Sequence, residues 1–318
     1  MRELEGCCYH AARGFLDHLL AELPDRDRLD GDLVTVLGER RRAYWTRNVW
    51  ERPLVIEFDS VGGAAKALRA IQRNWAPYIV RHHRRAALIQ EKLPPLPLKP
   101  KRFPLDLPDV PMGAYMLLDE RTMLASPTCS SPFPNGEFEF EEDKEGPPSR
   151  AYRKLWEALA LSGRLPKAGE TCLDAGASPG GWTWVLAGLG AEVTAVDRAE
   201  LEPRIAALPN VKTMRRDAFA LRPEDLGPVD WLCSDVICYP PALLEWVEKW
   251  LDSGLARNFV CTIKMQGAEF DRATTDRFAA IPGSRVLHLW HNRHELCWIK
   301  VEGDRGLGSP AGERPAAS

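Results

Sequence analysis

The sequence predicts an α/β fold, in which a mostly parallel sheet ends in an antiparallel hairpin and follows a smaller N-terminal α+β domain. From residue 149 onward, short apolar runs alternate with amphipathic runs, as in a parallel sheet covered by helices. The last two apolar runs, 284–290 and 295–301, are too close together for a parallel crossover. A glycine-rich turn, 176–181, joins the first of these strands to a helix. These three observations predict the fold class.

Composition and charge are those of a globular protein with a sizeable core. The 318 residues are 45% hydrophobic and 27% charged. The formal net charge of −3 argues against nucleic-acid binding by overall charge but allows a local basic face. The sequence contains no run of about 18 apolar residues, so no membrane span is predicted. The charged N-terminus does not resemble a secretory signal. The eight cysteines form no Cys-x-x-Cys pair, which indicates reduced thiols and a cytoplasmic protein.

The first 147 residues predict the small α+β domain. Apolar residues at helical spacing predict helices over 11–23 and 64–75. Short apolar runs at 33–37 and 53–58 are typical of strands. Strand, helix and strand in short units suggest a ferredoxin-like arrangement.

Three further segments define the predicted domain limits. Residues 94–111 contain seven prolines and predict an extended connector, and the apolar runs that flank 119–121 predict a hairpin. The motif Gly146-Pro-Pro148 precedes the second domain, 148–302. The tail, 303–318, is rich in Gly, Pro and Ser and is predicted to be disordered.

The N-terminal domain carries an uneven charge. Residues 40–102 contain 15 Lys and Arg against 4 Asp and Glu, with Tyr and Trp interleaved. Because basic side chains neutralise phosphates and aromatic rings stack on unpaired bases, this stretch predicts a basic RNA-binding face. The alternative is a solvated surface above buried tryptophans.

In the second domain the apolar pattern predicts each element in turn. Helices are predicted at 149–161, 180–189, 200–208, 241–252 and 271–280. Strands are predicted at 171–174, 191–197, 211–214, 229–234 and 258–264, before the closing pair. Parallel strands that end in an antiparallel hairpin are the plan of the Rossmann-like methyltransferases.

Carboxylates follow the first four predicted strands of this sheet. They are Asp174, Asp197, Asp217 and Asp235. Ligands of open parallel sheets bind at the carboxyl ends of the strands, and an acid after the second strand suits ribose hydroxyls. The turn has neither the dinucleotide pattern nor a Walker lysine, so a cofactor with a positive centre, S-adenosylmethionine, fits better than a dinucleotide. The alternative is a turn that only connects strand and helix.

Several ordered blocks of this domain resemble the FtsJ-type ribose 2′-O-methyltransferases, and most closely the group that modifies a cytidine of bacterial large-subunit (23S) ribosomal RNA. The blocks are 149–157, 173–183, 196–197, 216–219, 233–236, 262–265 and 290–296. That group carries a larger N-terminal RNA-binding region with a ferredoxin-like part and a THUMP part. The sequence here has no clear THUMP signature, and the proline-rich stretch 94–111 with the hairpin around 119–121 is interpreted as a reduced version of that part.

The resemblance implies the roles of individual residues. It places a Lys-Asp-Lys-Glu catalytic tetrad at Lys154, Asp235, Lys264 and Glu295. It implies cofactor contacts at Ser149, Ser178, Pro179, Gly180, Gly181, Asp197, Asp217 and Asp235. The turn itself adds Asp174, Gly176 and Trp182, although a tryptophan there is more often a core residue. His288, His291 and His294 lie on a turn between strands, where they would not converge, so no metal site is predicted.

The predicted reaction is S-adenosylmethionine-dependent 2′-O-methylation of ribosomal RNA. A ribose hydroxyl is a poor nucleophile, so a base must take its proton during the in-line attack on the methyl group. Lys264 can be that base if desolvation or a second cation, Lys154, lowers the pKa of its ammonium group. The alternative is that Lys264 only positions the hydroxyl. The alternatives are methylation of transfer RNA or a messenger cap, and a non-catalytic RNA-binding or ribosome-assembly factor.

Overall fold

The structure, a computed structural model, describes residues 1–96, 98–107, 110–304 and 306. The chain divides into two compact units. The first includes Met1–Lys101 and Leu107–Glu139, and the second includes Arg102–Asp106 and Phe140–Gly306. Except for residues 303, 304 and 306, the predicted disordered tail lies outside the described residues.

The described part of the first unit contains two sheets and three α-helices. Its strands are β1 (Arg2–Glu3), β2 (Gly6–Ala11), β3 (Arg28–Asp30), β4 (Leu33–Leu37), β5 (Thr46–Trp50), β6 (Leu54–Glu57), β7 (Trp75–Pro77), β8 (Gly113–Leu117) and β9 (Thr122–Ser126). Its helices are α1 (Leu16–Glu22), α2 (Val61–Ile71) and α3 (His83–Gln90). This is the α+β composition predicted for the N-terminal region.

The two sheets of the first unit pack through apolar side chains. The strand orders are β1-β6-β9-β8-β7 and β3-β4-β2-β5. Cys8 and Trp50 of the second sheet pack with Met116 of the first in one buried cluster. Leu68 of α2 and Ile89 of α3 belong to another cluster with strands of the five-stranded sheet. Burial of these apolar surfaces stabilises the unit.

Both helices predicted in the first unit have different limits in the structure. The predicted helix 11–23 begins only at Leu16, because Gly6–Ala11 is an inner strand that pairs with β4 and β5. The predicted helix 64–75 runs from Val61 to Ile71. Trp75 continued the helical spacing but lies in β7, from which its ring N–H donates to the carbonyl of Leu68 at 3.0 Å. The side chain of Trp75 therefore packs against the end of α2 although the residue itself lies in β7.

The second unit alternates strands and helices as predicted. Its strands are β10 (Thr171–Ala175), β11 (Glu192–Asp197), β12 (Val211–Arg215), β13 (Val229–Ser234), β14 (Ala256–Lys264), β15 (Arg285–Leu287) and β16 (Glu295–Lys300). Its helices are α4 (Tyr152–Ser162), α5 (Gly181–Gly188), α6 (Pro203–Ala206), α7 (Pro223–Leu226), α8 (Pro240–Ser253) and α9 (Arg272–Ala280). Helix α7 was not predicted, and β15 is shorter than the predicted strand 284–290.

The sheet of the second unit has the order β12-β11-β10-β13-β14-β16-β15. Neighbouring strands from β12 to β14 are parallel, whereas β16 is antiparallel to both β14 and β15. The predicted fold class is therefore confirmed. The strand order reverses between β10 and β13, and this is the position at which open α/β sheets bind their ligands.

The interior strands of this sheet are buried on both faces, as parallel sheets require. Cys233 and Cys261 lie within β13 and β14 and are fully buried. All eight cysteines are free, and Cys238 alone among them is half-buried rather than buried. In the described part of the chain, the helices are too short or too polar to cross a membrane.

Candidate active site

The glycine turn after β10 is shaped by close backbone contacts. Gly176 has a φ of +80°, and a Cβ at this position would lie 2.7 Å from the Cβ of Val236. A Cβ on Gly181, the first residue of α5, would lie 2.5 Å from the hydroxyl of Ser149. Gly176 must therefore be glycine for the turn to approach the segment after β13 this closely, whereas a side chain at position 181 would have to displace the hydroxyl of Ser149. The approach leaves backbone exposed along the wall of a cavity.

That cavity has a volume of about 610 Å³ and lies at the carboxyl ends of β10, β11 and β13. Its lining residues are Ser149, Ala151, Gly176, Ala177, Ser178, Pro179, Gly181, Trp182, Asp197, Arg198, Asp217, Ala218, Phe219, Asp235, Val236, Ile237, Cys238 and Lys264. Cavities of roughly 300–1,000 Å³ hold small ligands and cofactors. We call it the cofactor cavity.

Two carboxylates on one side of the cofactor cavity are held by local contacts. Asp197 accepts hydrogen bonds from the backbone N–H of Ser178 at 2.9 Å and of Ala199 at 2.8 Å. Asp217 pairs with the guanidinium of Arg198, which holds the pKa of Asp217 below its ordinary value. Because a carboxylate has about four acceptor positions, Asp197 retains capacity to accept from ribose hydroxyls.

At the opposite side of the cavity, the four predicted tetrad residues are in mutual contact. Lys154 Nζ lies 2.7 and 2.8 Å from the two carboxylate oxygens of Asp235 and 3.1 Å from Glu295 Oε1. Lys264 Nζ lies 3.2 Å from Asp235 Oδ1 and donates to the backbone carbonyl of the same residue. Asp235 therefore binds both ammonium groups, and the four charges balance.

The sheet and the preceding helix bring these residues together. Lys264 ends β14 and faces Glu295, the first residue of β16, as its antiparallel partner. Asp235 follows β13, the parallel neighbour of β14. Lys154 lies in the first turn of α4. The tetrad thus depends on β13, β14, β16 and α4 keeping their relative positions.

The two lysines differ in environment. Lys154 is buried, with 8% exposure, and does not line the cofactor cavity. Burial lowers the pKa of Lys154, but the charges of Asp235 and Glu295 raise it further, so the net shift of its pKa is upward. Lys264 lines the cavity directly. Only Lys264 can therefore reach a substrate placed against the cofactor.

Glu157, one turn beyond Lys154 on α4, holds the loop that precedes Glu295. Its carboxylate accepts from the backbone N–H of Trp290 at 2.7 Å and of His291 at 3.0 Å. The side-chain amide of Asn292 donates to the carbonyl of Glu295 at 3.1 Å. These contacts fix the start of β16. Sequence reasoning did not single out Glu157, which lay inside a block of the family resemblance.

Asp174 is buried behind the turn rather than in the cavity wall. One carboxylate oxygen accepts from the hydroxyl of Thr183 at 2.6 Å, and the other has no hydrogen-bond partner among the described residues. Burial raises the pKa of Asp174 to about 7, and the nearby charge of Asp235 contributes to the rise. Asp174 therefore stabilises the turn by linking the end of β10 to Thr183 in α5.

The structure brings together most of the predicted cofactor residues. Ser149, Gly176, Ser178, Pro179, Gly181, Trp182, Asp197, Asp217 and Asp235 line the cavity. Asp174 and Gly180 are not among the lining residues. Sequence reasoning missed Arg198, Phe219 and Ile237, of which only Phe219 belonged to a recognised block. His288 is buried and contacts the carbonyl of Arg293 through Nε2 at 3.0 Å, and no metal-binding group occurs in the described part of the chain.

The cavity suits S-adenosylmethionine by volume and charge. The glycine turn exposes backbone at one wall, as a cofactor with an amino-acid end requires. Asp197 lies where a ribose binds in this type of sheet. Trp182 is held in the wall by a hydrogen bond from its ring N–H to the carbonyl of Ala151 at 3.0 Å. Three carboxylates and two basic groups around the cavity fit a ligand with both a positive and a negative end.

Comparisons with known proteins agree with this arrangement. The family model of FtsJ-like methyltransferases matches residues 147–266. The ribosomal RNA large subunit methyltransferase M of Laribacter hongkongensis is 33% identical over 293 residues, which are 86% of this chain and 75% of the relative. Its counterpart in Xanthomonas oryzae pv. oryzae is 30% identical over 298 residues, or 89% of this chain and 79% of the relative.

A third relative matches over a shorter region. The ribosomal RNA large subunit methyltransferase M of Halorhodospira halophila is 37% identical over 157 residues, which are 47% of this chain and 45% of the relative. The chain therefore spans less than half of that relative and about three quarters of the other two. The family predicted from the sequence is confirmed, and the chain belongs to the ribosomal RNA large subunit methyltransferase M family of FtsJ-like methyltransferases.

Proposed function

We propose that this protein transfers a methyl group from S-adenosylmethionine to the 2′-hydroxyl of a cytidine in large-subunit (23S) ribosomal RNA. The observation that carries the proposal is the buried contact between Lys154, Asp235, Lys264 and Glu295 beside the cofactor cavity. Family membership supports the reaction and the cofactor. The bound cofactor supplies the electrophilic methyl group.

In this proposal, Lys264 and Asp235 hold the attacking hydroxyl. Lys264 first releases one proton to solvent, its neutral Nζ then receives the hydroxyl proton as the oxygen attacks, and Asp235 orients the amine. Lys154 stays protonated because two carboxylates contact it, so it acts as a fixed cation and not as the base. Positioning of the hydroxyl against the methyl group supplies a large part of the rate enhancement.

Cofactor contacts follow from the cavity walls. Gly176, Ser178 and Gly181 provide backbone around the amino-acid end, and Asp197 accepts from the ribose hydroxyls. Asp217 and Phe219 lie at the far end of the cavity, where a nucleobase has polar and aromatic neighbours. Ser149 and Trp182 complete the wall nearest α4.

The first unit is proposed to bind RNA. It contains a cavity of about 410 Å³ lined by His82, His83, Arg84 and Arg85, with Glu120 as the one carboxylate among its described lining residues. In the described part of the chain, neither arginine forms an ion pair. The guanidinium of Arg85 lies over the ring of Phe58, 5.7 Å from its centroid, and guanidinium groups without a carboxylate partner in a concave site suit phosphates of a structured RNA. We therefore assign residues 1–147 to RNA binding and 148–302 to catalysis, and we expect the protein to act in the cytoplasm.

In vitro methylation of unmodified large-subunit ribosomal RNA tests the proposal. The purified protein and labelled S-adenosylmethionine are expected to methylate one cytidine, identified by mass spectrometry of nuclease fragments. Transfer RNA and capped messenger RNA serve as competing substrates. Methylation of one of these in preference to ribosomal RNA would change the substrate, and absence of cofactor binding by calorimetry would exclude the enzymatic function.

A further inference from the structure

Two large apolar side chains are exposed next to the tetrad. Ile237 is 76% exposed and Tyr239 is 69% exposed, and both follow Asp235 within four residues. In the described part of the second unit, no other large apolar side chain is as exposed. Single exposed apolar residues are ordinary on protein surfaces, but two beside reacting groups indicate a contact surface.

The segment that carries these side chains is fixed in place relative to the tetrad. Tyr239 precedes Pro240, the first residue of α8, so the helix start restrains its backbone. The side-chain amide of Gln266 donates to the carbonyl of Cys238 at 3.4 Å and joins this segment to the residues after β14. Lys264 also donates to the backbone carbonyl of Asp235. Tyr239 is therefore presented on a rigid support.

A second cavity is lined by residues that follow those of the cofactor cavity in the chain. It has a volume of about 690 Å³, and its lining includes Tyr239, Met265, Gln266, Glu269, Phe270 and Arg272. Cys238 and Lys264 line the cofactor cavity, whereas the residues that follow them, Tyr239 and Met265, line this one. The two cavities are thus adjacent along both chain segments. We call the second one the Tyr239 cavity.

The composition of the Tyr239 cavity suits an unpaired nucleobase. A base needs an exposed aromatic face for stacking and polar groups for its edge. Tyr239 supplies the first, and the amide of Gln266 and the carboxylate of Glu269 supply the second, while Arg272 pairs with Asp276. A protein partner would need roughly 800 Å² of contact surface, far more than two side chains provide.

We infer that Tyr239 stacks against an unpaired base of the RNA substrate while the ribose of that nucleotide, or of its neighbour, lies at Lys264. This inference rests on the proposed function and specifies where the RNA enters the catalytic unit. It follows from chain connectivity, because Tyr239 and Met265 of the Tyr239 cavity follow Asp235 by four residues and Lys264 by one residue. A base splayed out of its helix exposes the ring faces that this site requires.

Steady-state methylation by Tyr239→Ala and Tyr239→Phe tests the inference. Loss of one stacked base is expected to raise KM for RNA about tenfold in Tyr239→Ala, with kcat changed less than threefold. Tyr239→Phe keeps the ring and is expected to behave as the wild type. Asp252→Ala, which shortens an exposed side chain near the opposite end of α8, is the control and is expected to leave both constants unchanged.

A second measurement separates stacking from loss of structure. An RNA fragment with 2-aminopurine at or beside the target nucleotide is expected to lose fluorescence with wild-type protein and Tyr239→Phe, and to keep it with Tyr239→Ala. Cofactor affinity by calorimetry should be equal in all variants. If the wild type methylates RNA but Tyr239→Ala has an unchanged KM and quenches equally, the inference is wrong and the proposed function stands. If the wild type methylates no RNA, both fail.

Discussion

Lys154 and Lys264 in the second unit differ from Arg84 and Arg85 in the first in what surrounds their charges. The two lysines share the carboxylate of Asp235 and are largely shielded from solvent. The two arginines line an open cavity and form no ion pair within the described chain. In the proposed function, the charges that hold reacting atoms are thus fixed in advance, whereas the charges that bind a phosphate backbone remain available to it.

The difference predicts opposite responses to substitution. Removing a member of the tetrad unbalances a set of buried charges and is expected to affect the chemical step. Removing a cation from the open cavity leaves no buried charge behind and is expected to affect only RNA affinity and its salt dependence. The following changes test this contrast, beginning with the largest expected effect.

Lys264→Ala is expected to reduce kcat for methylation about 10³-fold, within the range that loss of a general base produces. Cofactor affinity should change little, because the remaining cavity wall is intact. Single-turnover methyl transfer and calorimetry measure the two quantities. Equal losses in kcat and in cofactor affinity would instead make Lys264 a binding residue, and the contrast between the two units would then weaken.

Asp174→Asn tests the buried carboxyl that lacks a charged partner. The pKa of Asp174 is raised from 3.8 to about 7, so the folded protein binds its proton more tightly than the unfolded chain. The bound proton therefore makes its full contribution to the free energy of unfolding below about pH 4, and this contribution is lost as the pH rises to about 7. Because each pKa unit corresponds to about 1.4 kcal/mol, the free energy of unfolding falls by about 4 kcal/mol over this pH range.

The asparagine variant removes this titration. Its free energy of unfolding relative to the wild type should rise between pH 5 and pH 8, as measured by urea denaturation at both values. Asp252→Asn, which removes an exposed carboxylate, is the control for the change in net charge. An equal difference at pH 5 and pH 8 would mean that Asp174 is already ionised in the folded protein.

Lys154→Met sharpens the distinction between the two lysines. It leaves Asp235 and Glu295 facing each other without the cation that contacts both. Their uncompensated charge would bind the ammonium of Lys264 more firmly and slow proton transfer, so kcat is expected to fall about 10²-fold. Lys154→Arg keeps the charge and should retain more activity. If Lys154→Met were as active as the wild type, the tetrad would not act as one unit.

The sequence predicted the second unit better than the first for a physical reason. Strands such as Val229–Ser234 lie inside a parallel sheet and are mostly apolar, which makes them easy to recognise. In the first unit, Gly6–Ala11 contains the buried His10 and was not predicted as a strand, and its last residue was placed in the predicted helix 11–23. Helix α3 was missed because its start, His83-Arg-Arg85, is polar on all sides.

The candidate site was predictable in its residues but not in its contacts. Lys154, Asp235, Lys264 and Glu295 came from a family resemblance, and no local pattern indicates that Lys154 contacts both acids from α4. Contacts between residues 81 or 141 positions apart depend on how helix and sheet pack. The exposure of the Tyr239 side chain could not be predicted from the sequence either, since aromatic side chains are more often buried than exposed.

Paired substitution of Arg84→Gln and Arg85→Gln tests the first unit and has the smallest expected effect. Each lost phosphate contact should reduce the slope of log affinity against log salt by about 1, with a several-fold loss of RNA affinity near physiological salt. Fluorescence anisotropy with a ribosomal RNA fragment measures both, and cofactor affinity should not change.

The double variant Lys249→Gln and Arg277→Gln is the matched control, because it removes two exposed cations that already pair with Glu245 and Glu248. It should leave the salt slope unchanged. If both double variants lowered the slope equally, RNA binding would follow total charge and not the open cavity. The contrast between cations that are paired in the folded chain and cations available to RNA would then be lost.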